Sequence, residues 1–182
     1  MDNELGKNLR RLKNFLSLIA ILILWIITIW IPYINVGTTI ALFTLPVSMS
    51  KGEIISPLEI FKKKYRKYMG EFFIICALMY MAIIGAMLFL VIPAIVVSLS
   101  WSLGVYLMVD KGLNPMEALT DSNKRTDGSK WIMFFSTLIL IIPLPILAFI
   151  PVIGHILALI YLIILVPVSL GSSAYIYSVL GK

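Results

Sequence analysis

The chain has 182 residues, 60% of them hydrophobic and 13% charged, with a mean hydropathy of +1.02; soluble domains are roughly 45–50% apolar and about 25% charged. A water-soluble fold cannot hide that much apolar surface. The formal net charge of +6 would suit nucleic acid, but the basic residues flank hydrophobic segments, the pattern expected beside an anionic inner leaflet, and nucleic acid is excluded as a partner. Cys76 is the one cysteine, which excludes an internal disulfide and a thiol-rich metal site.

Lys7, Arg10, Arg11 and Lys13 precede an apolar run over residues 15–31. The run is longer than a signal-peptide core and no small-residue cleavage site follows, so an uncleaved first helix is expected. Leu5, Leu9, Leu12 and Leu16 form an apolar stripe leading into it. Uncharged stretches cover residues 14–50, 72–109 and 131–181, each longer than the roughly 20 residues that one crossing needs. Read as hairpins, they predict an all-α polytopic protein with about six transmembrane helices. The turns fall at Pro32, Pro93 and Pro151, and Pro143 with Pro145 kinks the fifth helix. The first stretch offers only about 18 residues per crossing, near the lower limit, and Thr38, Thr39, Thr44 and Pro46 interrupt residues 36–50. A re-entrant hairpin is therefore an open alternative there.

Two charged linkers separate the stretches. In the first, Ser56 as N-cap, Pro57 at the first helical position and Glu59 at N3 spell a helix start. Leu58, Phe61, Tyr65 and Tyr68 recur at helical spacing with Lys62, Lys63, Lys64, Arg66 and Lys67 between them, predicting a helix lying in the membrane interface. The second repeats the start with Asn114, Pro115 and Glu117, but Asn123 and Thr126 do not continue the stripe begun by Met116 and Leu119. A shorter helix and a mobile connection over residues 127–129 are expected.

Sliding the chain against itself by 58 residues aligns Ser56-Pro57-Leu58-Glu59 with Asn114-Pro115-Met116-Glu117, Gly70 with Gly128, Phe73 with Trp131, and Ile92-Pro93 with Ile150-Pro151. A looser copy ends at Ile31-Pro32, giving one membrane domain over residues 1–182 built from units of approximately 1–52, 53–112 and 113–182. Two crossings per unit make the repeat parallel, three tandem hairpins joined by short amphipathic cytoplasmic helices.

Charge decides orientation. The 15 basic and nine acidic residues cluster before residue 14, in the two linkers and at Lys182, all on one face of a three-hairpin arrangement. Basic residues mark the inner side, which predicts a multi-pass cell-membrane protein with both termini cytoplasmic. No ionisable residue interrupts the neutral stretches, and no phosphate loop, dinucleotide fingerprint, metalloprotease helix or nucleophile elbow occurs; no catalytic, cofactor-binding or metal-binding residue is assigned. His155 reads as an interfacial hydrogen-bonder. Ser98, Ser100 and Ser102 read as packing residues, Asp110, Asp121 and Asp127 as solvated or paired.

Pro115-Met116-Glu117-Ala118-Leu119 with Ser122 and Gly128, then Trp131 and a hydrophobic hairpin, together with Ile92-Pro93, resembles a family of small prokaryotic polytopic membrane proteins of unknown function, related to the membrane domain of some glycerophosphodiester phosphodiesterases. The resemblance implies a membrane module and confers no activity. Two functions fit these residues. The favoured one is a non-enzymatic membrane scaffold or accessory protein whose Lys7, Arg10, Arg11, Lys13, Lys62, Lys63, Lys64, Arg66, Lys67, Lys124 and Arg125 contact anionic headgroups on the cytoplasmic side, or a cytoplasmic protein or second copy. The other is a transporter, channel or lipid-translocating protein, its repeats enclosing a path.

Overall fold

The computed structural model describes residues 2–151 and 153–181, with side chains from residue 12 onward. Helix accounts for 84% of the chain, and no strand occurs among the described residues. In order the helices are α1 (Asp2–Thr28), α2 (Pro32–Ser50), a 3₁₀ turn (Pro57–Phe61), α3 (Lys63–Arg66), α4 (Met69–Phe89), α5 (Val91–Ser100), α6 (Gly104–Lys111), α7 (Pro115–Thr126), α8 (Lys130–Ile141), α9 (Pro143–Ala148) and α10 (Ile153–Leu180).

Four segments are long and apolar enough to cross a membrane: α4, α5 with α6 (Val91–Lys111), α8 with α9 (Lys130–Ala148), and α10. The apolar part of α1, Leu12–Thr28, is shorter, and α2 is not among the four. Their lipid-type surface is extensive. Met81, Leu88, Phe89, Ile92, Trp131, Ile132, Ile139 and Phe149 are all more than two-thirds exposed, far beyond the single exposed apolar side chains normal in a soluble monomer.

The core sits elsewhere, around α2. Leu18 and Ile21 from α1, Ile40 and Leu45 from α2, Ile55 and Ile60 from the first linker, Ile75 from α4, Leu107 and Met108 from α6, and Leu119 from α7 are nearly inaccessible. Two of the threonines expected to interrupt this segment, Thr38 and Thr39, instead stitch α2 to α1, while Thr44 bonds back to carbonyls of its own helix. Thr28 and Thr38 share a hydrogen bond of 3.0 Å, Trp25 Nε1 donates to Thr39 Oγ1 at 2.9 Å, and Asn35 Nδ2 donates to Thr28 Oγ1 at 3.3 Å. Polar side chains of this kind bond across helices where water is scarce.

All three turn prolines lie at or just past a helix junction. Pro32 opens α2, Pro93 is in the first turn of α5 after the extended Leu90, and Pro151 lies between α9 and α10. The helix carrying Pro143 and Pro145 divides into α8 and α9 between Ile141 and Pro143, and the Tyr161 hydroxyl donates to the Leu140 carbonyl beside the division at 2.8 Å.

Both linkers depart from expectation in instructive ways. Ser56 makes no side-chain cap, and the chain after it forms a 3₁₀ turn, an extended Lys62 and the four-residue α3 in place of one interfacial helix. The buried residues are Ile55, Ile60 and Tyr65, while Leu58 of the expected stripe is exposed. In the second linker Asn114 forms the complete capping box with Glu117. There α7 runs a full twelve residues, because Ala118, Ser122 and Thr126 continue the buried face with hydroxyls in place of alkyl groups. Those hydroxyls meet the break between α5 and α6. Ser122 Oγ accepts from the Leu103 amide (3.2 Å) and donates to the Ser100 carbonyl (2.7 Å), and Thr126 Oγ1 donates to the same carbonyl (3.3 Å). Open backbone groups at membrane depth are tolerated only when protein supplies such partners.

Candidate functional site

The first linker owes its shape to charge. Glu59 takes hydrogen bonds from Lys62 Nζ (3.1 Å) and Lys64 Nζ (3.0 Å), with the Tyr65 hydroxyl at 3.4 Å. A partner five residues on lies off the face of an α-helix, and the bend at Lys62 brings Lys64 back to the carboxylate. Partial burial pushes the Glu59 carboxyl up, but the bonds from Lys64 and Lys62 outweigh it and hold the group below its ordinary 4.5. Burial likewise lowers Lys64, yet its bond to Glu59 leaves it above 10.5. Burial raises Tyr65 above 10.0.

The clasp therefore stabilises the linker at neutral pH. On the acid side its contribution is present above the unfolded glutamate value and is lost as pH falls through the depressed folded one; on the basic side it is lost as pH rises through the raised Lys64 value. Carbon-13 NMR of labelled glutamate carboxyls is expected to show Glu59 titrating below 4.5, with Lys64→Met moving the midpoint back up. A wild-type midpoint at or above the ordinary value would dismiss the clasp.

Arg66 extends the linker along α2. Its aliphatic stem lies where a Cβ on Gly37 would come within 2.7 Å of Cγ, and its guanidinium sits 5.9 Å from the centre of the Tyr33 ring. Lys63 and Lys67 are exposed on the outer side.

Beside this linker lies a polar cleft of about 250 Å³ between the C-terminal half of α2, the linker and α6, lined by Thr44, Ser48, Lys51, Glu53, Lys64, Tyr68 and Asp110 among others. Lys51 pairs with Asp110, and Asp110 also accepts from the Tyr177 hydroxyl at 2.7 Å, joining the ends of α2 and α6 to α10. One helical turn further along, α2, α4 and α6 wall an apolar groove of about 330 Å³, lined by Phe43 of α2, Phe72, Cys76, Met79, Tyr80 and Ile83 of α4, and Val105 of α6.

The residues assigned to headgroup contact from sequence do not all converge. Lys62, Lys63, Lys64, Arg66 and Lys67 share the first linker. Lys13 and Lys124 are exposed on α1 and α7, and the side chains of Lys7, Arg10 and Arg11 lie outside the described residues. Arg125 turns toward protein: Nε donates to Asp121 at 2.8 Å and a terminal nitrogen to the Leu180 carbonyl at 3.2 Å. Ser98, Ser100 and Ser102 donate to carbonyls of their own segment. His155 is exposed at the start of α10.

Lys51, Asp110, Tyr177 and Ser122 escaped the sequence reading as members of a site. Lys51 and Asp110 did carry a signal, since each stands at the inner end of a neutral stretch, but their pairing across 59 residues leaves no periodicity to read.

No protein-family model, no curated protein and no solved structure matches the chain.

Proposed function

We propose that the chain is a non-enzymatic integral membrane scaffold or accessory protein that holds a basic layer against the anionic headgroups of the cytoplasmic leaflet. The observation that carries this reading is the linker itself: Lys62, Lys63, Lys64, Arg66 and Lys67 lie within six residues, and among the described residues the one acidic side chain in their ion pairs, Glu59, is already taken by Lys62 and Lys64. Basic residues near an anionic surface contribute roughly 1 kcal/mol each.

The same packing favours four crossings over six. Lys64 and Tyr65 lie beside Thr44 and Ser48, and Arg66 beside Gly37 and Tyr33, so cations accompany α2 over much of its length. Were α2 to cross the bilayer, they would sit in hydrocarbon at a cost of about 2.5–3.5 kcal/mol each near its centre. In this reading α1 and α2 form a re-entrant hairpin, its apolar outer side chains Ile23, Ile26 and Ile27 toward lipid and its inner face against the linker. Both termini then face the cytoplasm, and two of the three tandem hairpins expected from the 58-residue offset, α4 with α5–α6 and α8–α9 with α10, are kept in this reading.

Spin-labelled lipids in proteoliposomes test it. Phosphatidylglycerol is expected to be enriched over phosphatidylcholine around the wild-type protein, and the enrichment should fall toward unity in high salt or when the five linker cations are changed to glutamine. Equal enrichment before and after neutralisation would remove the basis for the reading. Solute or lipid flux well above that of empty liposomes would favour a transporter.

A further inference from the structure

The polar cleft and the apolar groove lie against neighbouring stretches of α2 and α6 and of the chain that enters α4. Thr44 of the cleft follows Phe43 of the groove, Tyr68 stands one turn before Phe72, and Val109 one turn after Val105. The two lie end to end as a recess whose lining changes from charged and hydroxylic to mainly apolar along α4, a helix long and apolar enough to cross a membrane. The geometry points to a binding site for one phospholipid molecule, headgroup in the cleft and one acyl chain in the groove, and to an amine-bearing, zwitterionic headgroup in particular.

Volume and charge both lead there. An acyl chain gains binding free energy with every methylene it buries, and the groove between Phe43, Phe72, Met79 and Ile83 supplies the wall for it. The cleft carries two cations, Lys51, paired with Asp110, and Lys64, paired with Glu59 at its edge, together with the carboxylate of Glu53. Lys64, which keeps donors beyond the one given to Glu59, suits with the Tyr68 hydroxyl a phosphate diester, and Glu53 suits a primary ammonium, which donates hydrogen bonds that a quaternary ammonium lacks. A singly anionic headgroup would leave Glu53 facing like charge, with both lysines already holding a carboxylate partner. The assignment rests on the chain being a membrane protein with this face at the headgroup level, but not on the linker's bulk attraction to anionic lipid, since Lys62, Lys63 and Lys67 do not line the recess.

Native mass spectrometry of the full chain decides the matter, after equilibration in nanodiscs holding equal amounts of phosphatidylethanolamine, phosphatidylglycerol and phosphatidylcholine and release into detergent. One phosphatidylethanolamine per chain is expected to be retained, several-fold above either other lipid. Lys64→Gln should lower total retention several-fold. Glu53→Gln should erase the preference over phosphatidylcholine, and Met79→Trp, which fills the groove, should abolish retention. Neutralising Lys62, Lys63 and Lys67 should leave the retained lipid in place while reducing the phosphatidylglycerol enrichment seen by spin labels, which separates failure of this site from failure of the scaffold reading. Preferential retention of phosphatidylglycerol, retention of none of the three, or unchanged retention in both Met79→Trp and Lys64→Gln would overturn it.

Discussion

Replacing Ser122 with alanine should cost about 2 kcal/mol of stability, while replacing Thr126 with valine should cost less than about 1 kcal/mol. Ser122 is wholly buried, and its hydroxyl is the partner of the Leu103 amide at the break between α5 and α6. Without it that N–H has no acceptor, and a buried unsatisfied donor costs about 1–3 kcal/mol. Thr126 stands in a different position. The Ser100 carbonyl that it serves keeps the Ser122 hydroxyl at 2.7 Å, and its other bonds go to the Ser122 and Asn123 carbonyls of its own helix, acceptors that helical amides can serve. Unfolding of both variants in the same detergent, followed by circular dichroism, measures the difference. Equal losses would mean that the hydroxyls merely fill space and that the break is held by packing alone.

The same hydroxyls explain why this part of the fold resisted reading from sequence. The pattern Met116, Leu119, then Asn123 and Thr126 looks like an amphipathic stripe that stops, because periodicity is scored on apolar residues. The buried face of α7 is Ala118, Leu119, Ser122 and Thr126, polar at the two positions where it meets open backbone. The long apolar runs did become helices long and apolar enough to cross a membrane in α4, α8 with α9, and α10. Hydropathy said little about α2, whose surroundings are other helices and whose threonines are bonded to Trp25 and Thr28. The capping signal behaved similarly. Asn114 and Ser56 open the same motif, yet only the first is followed by a chain free to stay helical. After Ser56 the carboxylate that would complete the box is drawn to Lys62 and Lys64, a competition visible in the sequence only once the bend at Lys62 is known. Of the candidate site, the cationic linker was legible as composition. The recess beside it was not, since its walls come from α2, α4 and α6 and meet only in three dimensions.

Glycine positions offer the sharpest contrast in the lipid-facing half, and Gly154→Ala should cost about 3 kcal/mol or more, at the upper end of what overpacking exacts. A methyl there would overlap the Leu147 carbonyl oxygen and approach Ile150 Cβ to 2.7 Å, so the obstacle is the backbone at the end of α9, which cannot rotate aside. The corner that returns the chain into α10 would have to open. Gly85 is the natural control, a glycine inside α4 with nothing within 4 Å of the position its Cβ would take. There alanine removes the helix penalty of glycine and should stabilise by up to about 1 kcal/mol. Thermal unfolding of the two variants in matched micelles should thus move in opposite directions. If Gly154→Ala were as stable as the parent, α9 could not pack against the start of α10 as described, and the small residue at the turn would be a matter of helix propensity, not of close backbone approach.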